Sequence, residues 1–414
     1  MNLTSQIRPT KSQTELAACA ICGHKAHWLG DHVAEAHGMT LDDYMVQNAF
    51  SPTCSAALAA EWDRSKKNVV RKAPDGNSLK ITFAGVEFPV FTDVPEDACL
   101  PLPACYRVPV NGSLAADVEA VAISVRKARS VWVWGAPGTG KDAFFSALCA
   151  MTRRPSLLFQ VIQGADLQAW RFVRSFDTNG TTWEEGLLLK ALRDGYTTKT
   201  GKKLPYLIVL SDFDRANRQQ AEELRQILDS IQGRISGPDG TNYPVLPGTI
   251  IVATANSSGA GDNTGRCVSA NPIDVSILDR FERKYRFHQM DWKDEEPVVR
   301  NKFPVLIQKV PGILDSIGKA IGALRDAVDK EELYAEISHR TVCAWVGAAQ
   351  DIVELTGKVP PNLLKRAARV FLDGLPDDDT RENAKRVMDP HIKGGVVGEG
   401  DTSHVKTNNL DNSW

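Results

Sequence analysis

Nowhere does the chain carry a run of about 18 apolar residues, so no segment is built to cross a bilayer as a helix. Its first residues, MNLTSQIRPTKSQ, lack the apolar stretch of a secretory signal. An excess of positive charge is also missing. The formal net charge is −2, which gives no global electrostatic case for DNA or an anionic membrane. Cysteines are few and scattered, eight in all, and only Cys19 and Cys22 stand at a recognisable spacing. That usage argues against a disulfide framework and fits a reducing compartment, so a cytoplasmic location is expected. No internal repeat is found. What is there is ordinary for a globular chain: 414 residues, 43% of them hydrophobic and 24% charged, enough for two or three domains.

Composition divides the chain. Residues 1–15 are expected to be disordered, and 16–50 to form a small module ending in a helix-like stretch around Leu41–Phe50. Residues 51–83 read as a linker, with a basic run (Arg64, Lys66, Lys67, Arg71, Lys72) that is most simply a solvated face. From 84 to 290, short apolar runs at Val131–Trp134, Leu157–Val161, Tyr206–Leu210 and Thr249–Ala253 read as buried strands. Helix-length segments at 141–152, 183–194 and 216–232 lie between them. Strands alternating with helices predict an α/β domain, a mostly parallel sheet with helices on both faces. Residues 291–388 read as an α-helical lid, and the Gly-, Asp- and Asn-rich tail 389–414 as disordered.

The strongest motif is Val131-Trp-Val-Trp-Gly135-Ala136-Pro137-Gly138-Thr139-Gly140-Lys141-Asp142-Ala143. A strand runs into a glycine-rich turn and a helix opens at the lysine. Glycines let backbone N–H groups wrap a phosphate without Cβ clashes, and the helix N-terminus adds positive potential. Lys141 is placed to reach the β- and γ-phosphates of ATP. One position departs from the pattern. The residue after the lysine is normally Ser or Thr, whose hydroxyl ligates Mg²⁺, and here it is Asp142.

Two further strands carry polar ends: Leu207-Ile-Val-Leu210 runs into Ser211-Asp212-Phe213-Asp214, and Thr249–Ala255 ends on Asn256. Gly259–Gly265 and Ile277-Leu-Asp279-Arg280-Phe281 follow. With these elements the chain resembles the MoxR branch of AAA+ ATPases over roughly 85–370, most of all the CobS-type ATPase subunit of cobaltochelatase. The resemblance implies a P-loop AAA+ core, ATP and Mg²⁺ as cofactors, and a ring, with six subunits expected. By motif, Asn256 matches sensor 1, Arg280 the arginine finger that reaches the neighbour's nucleotide, and Arg340, in Ser338-His-Arg-Thr, sensor 2 in the lid. A companion bearing a VWA-type metal-dependent adhesion domain is implied as the partner. Aromatic residues Trp170 and Trp183 flank a loop where this branch carries a pore-facing insertion, and Gly233–Pro244 reads as a hairpin before the sensor strand.

The acidic strand departs from the family too. Aligned through Asp214-Arg-Ala-Asn, the usual Asp-Glu pair falls on Ser211-Asp212. The metal-side Asp has become Ser, while the loop Ser/Thr has become Asp. One reading is that hydroxyl and carboxylate have exchanged places around one magnesium ion held by Asp142, Ser211 and Asp212, with Asp212 the catalytic acid. Others are that Asp142 impairs Mg²⁺ binding, or that Asp212 is the metal-side acid and Phe213 stands at the catalytic position.

Near the N-terminus, Cys19-x2-Cys22-x9-His32-x4-His37 has zinc-ligand types at a compact finger spacing. His24 and His27 are substitutes for either imidazole. The segment resembles the C2H2 zinc finger of the Ros/MucR bacterial regulators. Its helix region, Trp28–His37, carries Asp31 and Glu35 and neither Lys nor Arg, which is a poor surface for phosphates. The expected function is therefore an ATPase that hydrolyses ATP to remodel a protein partner. The alternatives are a DNA-associated motor or regulator targeted by the finger, and a nucleotide-dependent scaffold with little turnover.

Overall fold

The computed structural model describes residues 17–26, 29–39, 44, 79–177, 180–229, 234–238, 240–261 and 270–392. The expectations for residues 1–15, for the 41–50 stretch apart from Tyr44, for most of the linker, for His27 and for the tail beyond 392 lie outside these residues.

The N-terminal module pairs β1 (Ala17–Ala18) with β2 (Lys25–Ala26), followed by α1 (Gly30–His37). A hairpin, β3 (Lys80–Phe83) and β4 (Val86–Pro89), leads to α2 (Gly112–Arg126). Next come β5 (Val131–Trp134), α3 (Lys141–Thr152) and β6 (Ser156–Gln160). The hairpin β7 (Phe172–Asp177) and β8 (Gly180–Glu185) precedes α4 (Leu187–Asp194). The short pair β9 (Tyr196–Thr197) and β10 (Lys203–Leu204) follows, then β11 (Leu207–Ser211) and α5 (Arg218–Asp229). A third hairpin, β12 (Arg234–Ser236) and β13 (Asn242–Pro244), precedes β14 (Ile250–Ala255), α6 (Val275–Leu278) and β15 (Arg283–Arg286).

Five of these strands form one parallel sheet in the order β15-β5-β14-β11-β6. Alternation along each strand sends successive side chains to opposite faces. Val131, Val133, Leu207, Val209, Ile250 and Val252 pack with Phe144, Leu148 and Val121 from α3 and α2. Trp132, Ile208, Leu210, Ile251 and Ala253 pack on the other face with Leu188, Leu192, Leu224 and Ile227 from α4 and α5. Both faces are covered along β5, β11 and β14, so these central strands read as unbroken apolar runs.

Three elements differ from the sequence expectation. The helix expected from 183 begins at Leu187, because Thr181, Thr182 and Trp183 pair with β7 as a strand. The edge strand β15 is Arg-Lys-Tyr-Arg, too charged to stand out as an apolar run. Helix α2 was not anticipated either, although it lays Leu114, Val118, Val121 and Val125 on the sheet.

Beyond β15 the chain is helical: α7 (Trp292–Lys302), α8 (Pro304–Lys309), α9 (Ile313–Asp329), α10 (His339–Thr356), α11 (Leu363–Leu372) and α12 (Asp378–Met388). They share their own core around Ile317, Leu324, Trp345, Val346 and Ala368, with Trp345 Nε1 donating to the Leu364 carbonyl at 2.9 Å. Asp294 ties this bundle to the α/β unit. Its Oδ2 accepts the Val110 and Asn111 backbone N–H groups at 2.9 and 2.7 Å, and Oδ1 the Asn111 amide at 2.7 Å.

Candidate nucleotide site and metal cluster

At the C-terminal edge of the parallel sheet, β5 passes into Gly135–Gly140 and then α3. This is where open α/β sheets bind ligands. The loop is tightly enclosed. A Cβ on Gly135 would meet the Phe287 carbonyl oxygen at 2.3 Å, and one on Gly138, whose φ is +78°, would meet Ser338 Cβ at 2.7 Å. Thr139 is buried and its hydroxyl donates to the Ala136 carbonyl at 3.0 Å. Ala136, Pro137 and Ala143 are half-buried around the turn.

Lys141 is only 7% exposed, a rare state for a lysine without partners. Its ammonium donates to the Gly135 and Ala136 carbonyls at 2.8 and 3.0 Å and to Asn256 Oδ1 at 3.1 Å. A buried cation curled under a glycine loop at a helix N-terminus is an anion site in waiting.

Asp142 points to the strands. Its Oδ2 accepts the Ser211 hydroxyl at 2.8 Å and its Oδ1 the Thr254 hydroxyl at 2.7 Å. So the helix carboxylate and the strand hydroxyl meet across α3 and β11, with a second hydroxyl from β14. Thr254 was missed from sequence because a β-branched residue in a strand carries no chemical signal of its own. Asp212 follows Ser211 in the left-handed region, φ +54°, an uncommon backbone state for a non-glycine residue. It accepts from Gln160 Nε2 at 3.2 Å and Asn256 Nδ2 at 3.4 Å, and lies 3.7 Å from Arg215 Nε. Phe213, at the catalytic position in the other register, is fully buried against Trp132 and Phe281 and can offer no group to water.

Residues 130–281 match the family model of the AAA domain, dynein-related subfamily. This core is an AAA domain. The match supports ATPase activity as the chain's enzyme class. Among solved structures, the RuvB Holliday junction branch migration motor of Thermotoga maritima is similar at 13% identity and a TM-score of 0.38, over 65% of this chain and 69% of that one. A Cytophaga hutchinsonii protein described as a candidate ATPase is similar at 14% identity and a TM-score of 0.31, over 64% and 87%.

Against the AAA domain the helical bundle presents the start of α10. Ser338 caps that helix and sits on Gly138, with Arg340 Cγ 3.8 Å from where a Gly138 Cβ would be. Arg340 is exposed beside the loop. Its neighbour His339 is anchored: Nδ1 lies 2.9 Å from Glu295 Oε1 and Nε2 3.3 Å from Cys343 Sγ. Glu295 is fully buried and also takes Arg325 at 2.7 and 3.3 Å. Burial alone would lower the His339 pKa, but the hydrogen bonds to Cys343 and Glu295 outweigh it and push the ring up to about 9. Burial alone would raise the Glu295 pKa, and here His339 and Arg325 win, holding it below the usual range.

Arg280 is not brought to this loop. Its Nε donates to Asp229 Oδ1 at 2.5 Å, and a terminal nitrogen donates to the Ser276 carbonyl. Trp170 packs on Phe159 with ring centroids 5.0 Å apart, whereas Trp183 on β8 is 42% exposed with the Arg174 guanidinium 6.0 Å from its ring.

In the N-terminal module one ligand atom from each of Cys19, Cys22, His32 and His37 falls within 4.8 Å of the others. Cys19 Sγ is 3.5 Å from His37 Nε2, and Cys22 Sγ is 3.1 Å from His32 Nε2. The Cys19-to-His24 turn brings the thiols together, and α1 presents both imidazoles. His24 stands outside the cluster, stacked on His32 at 4.2 Å between centroids. Tetrahedral zinc sets ligand atoms about 3.3–3.8 Å apart, so the donor set fits that ion and the two Cys–His pairs lie near that spacing.

Proposed function

We propose that the chain is a ring-forming AAA+ ATPase that hydrolyses ATP to remodel a protein partner, in the manner of MoxR- and CobS-type enzymes. The observation that carries the reading is Asp142 between Ser211 and Thr254, 2.8 and 2.7 Å away. Two like charges about 4 Å apart at an effective dielectric near 20 repel by about 4 kcal/mol, so a carboxylate at the foot of a triphosphate needs a cation facing it. Asp142 and Ser211, with Asp212 beyond, form a carboxylate–hydroxyl–carboxylate set suited to Mg²⁺, which prefers hard oxygen ligands and retains water. The ion's part would be to neutralise phosphate charge.

The chain's own groups take the remaining roles. Gly135–Gly140 cradle the phosphates and Lys141 moves from the loop carbonyls to the phosphate oxygens. Asp212 accepts a proton from the attacking water, and Asn256, in reach of both Lys141 and Asp212, orients that water. Arg340 reaches the γ-phosphate from the lid, and Arg280 serves the neighbouring subunit's site in a ring of six. Zinc held by Cys19, Cys22, His32 and His37 orders the N-terminal module, which docks protein. The absence of Lys and Arg from its helix and the acidic Asp31 favour a protein, a VWA-domain companion, over nucleic acid.

The test is Mg²⁺-dependent phosphate release by Asp142→Ser, Ser211→Asp and the double variant. Each single change is expected to lower turnover at least about tenfold and the double change to recover most of it, because close partners are not additive. A double variant no better than the product of the singles would sink the exchanged magnesium site.

A further inference from the structure

We infer that Asp214 is a positioning residue that couples the nucleotide-sensing end of β14 to the segment carrying Arg280; this rests on the nucleotide reading above. Asp214 follows Asp212 by two residues and is fully buried. Its Oδ2 accepts two backbone N–H groups, from Asn256 at 2.9 Å and Ser257 at 2.8 Å. Its backbone carbonyl accepts the N–H of Asn271 at 2.7 Å. The Asn271 side-chain amide donates in turn to the Arg215 and Ala216 carbonyls, both at 3.1 Å. One turn therefore grips both ends of the excursion that leaves β14 and returns before α6.

The excursion's described ends pack on each other and on α6. Gly259 accepts the Ile273 N–H at 2.8 Å, and Ala260 bridges to Pro272. A Cβ on Gly259 would stand 2.6 Å from Leu278 Cδ1, so the backbone there rests directly on the helix that leads into Arg280. The contacts run from Asn256 through Ser257 and Gly259 to Leu278 without a gap. Contiguous packed and hydrogen-bonded groups with few alternative arrangements are what carries a displacement between sites.

The charge on Asp214 needs a reason. Its Oδ1 is buried and has no hydrogen-bond partner among the described residues, a state that costs on the order of 1–3 kcal/mol. A neutral serine or asparagine could accept the same N–H groups. A carboxylate makes bonds to them roughly twice as strong, which is worth its desolvation only where the geometry at Asn256 must not drift. Asn256 is that place, since it touches both Lys141 and Asp212. When phosphate draws Lys141 away, Asn256 loses an ammonium partner, and Asp214 passes the adjustment to Ser257 and onward.

Amide hydrogen exchange on the full chain tests this, with Mg²⁺ and a non-hydrolysable ATP analogue as the probe. In the natural protein the analogue is expected to change exchange about fivefold or more both in the loop 135–143 and in the remote segment 270–281, the lower end of ordinary coupling energies. Asp214→Ala is expected to keep the loop change and lose the remote one, and Asp214→Asn, which retains an acceptor but not the charge, to restore it only in part. Asn271→Ala cuts the same strap at a half-buried position without leaving a buried N–H unmet, and is expected to reduce the remote change by about half or more. It decides alone if Asp214→Ala does not fold. A remote change of natural size in either folded alanine variant overturns the inference. An unprotected loop in the natural protein overturns the nucleotide reading, and the inference with it.

Discussion

Asp142 and Arg280 show how differently single residues can be read. Asp142 was conspicuous because it breaks a motif, and Ser211 because it breaks another; the structure sets the two 2.8 Å apart. Neither departure means much alone, and the pair was legible only because both were compared with one pattern. Arg280 matched its pattern, yet its side chain is occupied by Asp229 of the same chain. For Arg280→Ala, nucleotide affinity is expected to stay within about twofold while turnover falls on the order of a thousandfold, the usual weight of a trans-acting arginine. Mixing the variant with natural subunits should depress phosphate release more steeply than simple dilution; a straight dilution line would exclude a role in trans. Thr254, Gln160 and Asp214 were not legible as site residues. Thr254 and Gln160 are common side chains in ordinary local sequence, and only the register of β6, β11 and β14 puts them beside Asp142 and Asp212; Asp214 stands in the acidic motif, but nothing local aims its carboxylate at the Asn256 and Ser257 N–H groups.

Among elements, the start of α10 matters most, because it holds Ser338 against the glycine loop at Gly138 and carries Arg340. Its anchor is Glu295 with His339 and Arg325. A histidine with a raised folded pKa adds stability that is fully present below the unfolded value near 6.5 and is lost as pH rises through about 9. The depressed Glu295 adds stability present above its unfolded value and lost as pH falls below it. Thermal unfolding should therefore show the bundle losing on the order of 2 kcal/mol between pH 6.5 and 9. His339→Gln should flatten that decline, and an unchanged slope in the variant would show that the ring does not titrate there. The apolar strands and α3 were readable because burial on both faces leaves continuous runs. Edge strand β15 and hairpin β7–β8 were not, since exposed positions there are free to be charged or polar.

On the scale of the whole molecule, a small unit with a Cys2His2 cluster precedes an AAA core. Among the described residues the unit's core is Ala17, Cys19, Leu29, Val33 and Tyr44, too little apolar surface to order it unaided. Arg107, its guanidinium pKa lowered by burial, is within electrostatic reach of Tyr44 and Cys19 of the unit and of Asp294 of the helical bundle. Purified protein is expected to carry one zinc per chain by elemental analysis. A strong chelator should release it, expose the thiols of Cys19 and Cys22 to titration, and leave the main unfolding transition of the AAA core in place. Protein that folds this unit with no metal after zinc-replete preparation would remove zinc from its description. The pairing of Arg280 with Asp229 has a consequence for assembly. On the proposed reading, a subunit joining a ring does not gain an ion pair at Arg280 but trades one anion for another. A carboxylate offers a single charge, while a neighbour's triphosphate offers several, so the trade is favourable only when that neighbour is loaded. The ring's cohesion at this point would then be a vote by each occupied site on whether to keep the subunit next to it.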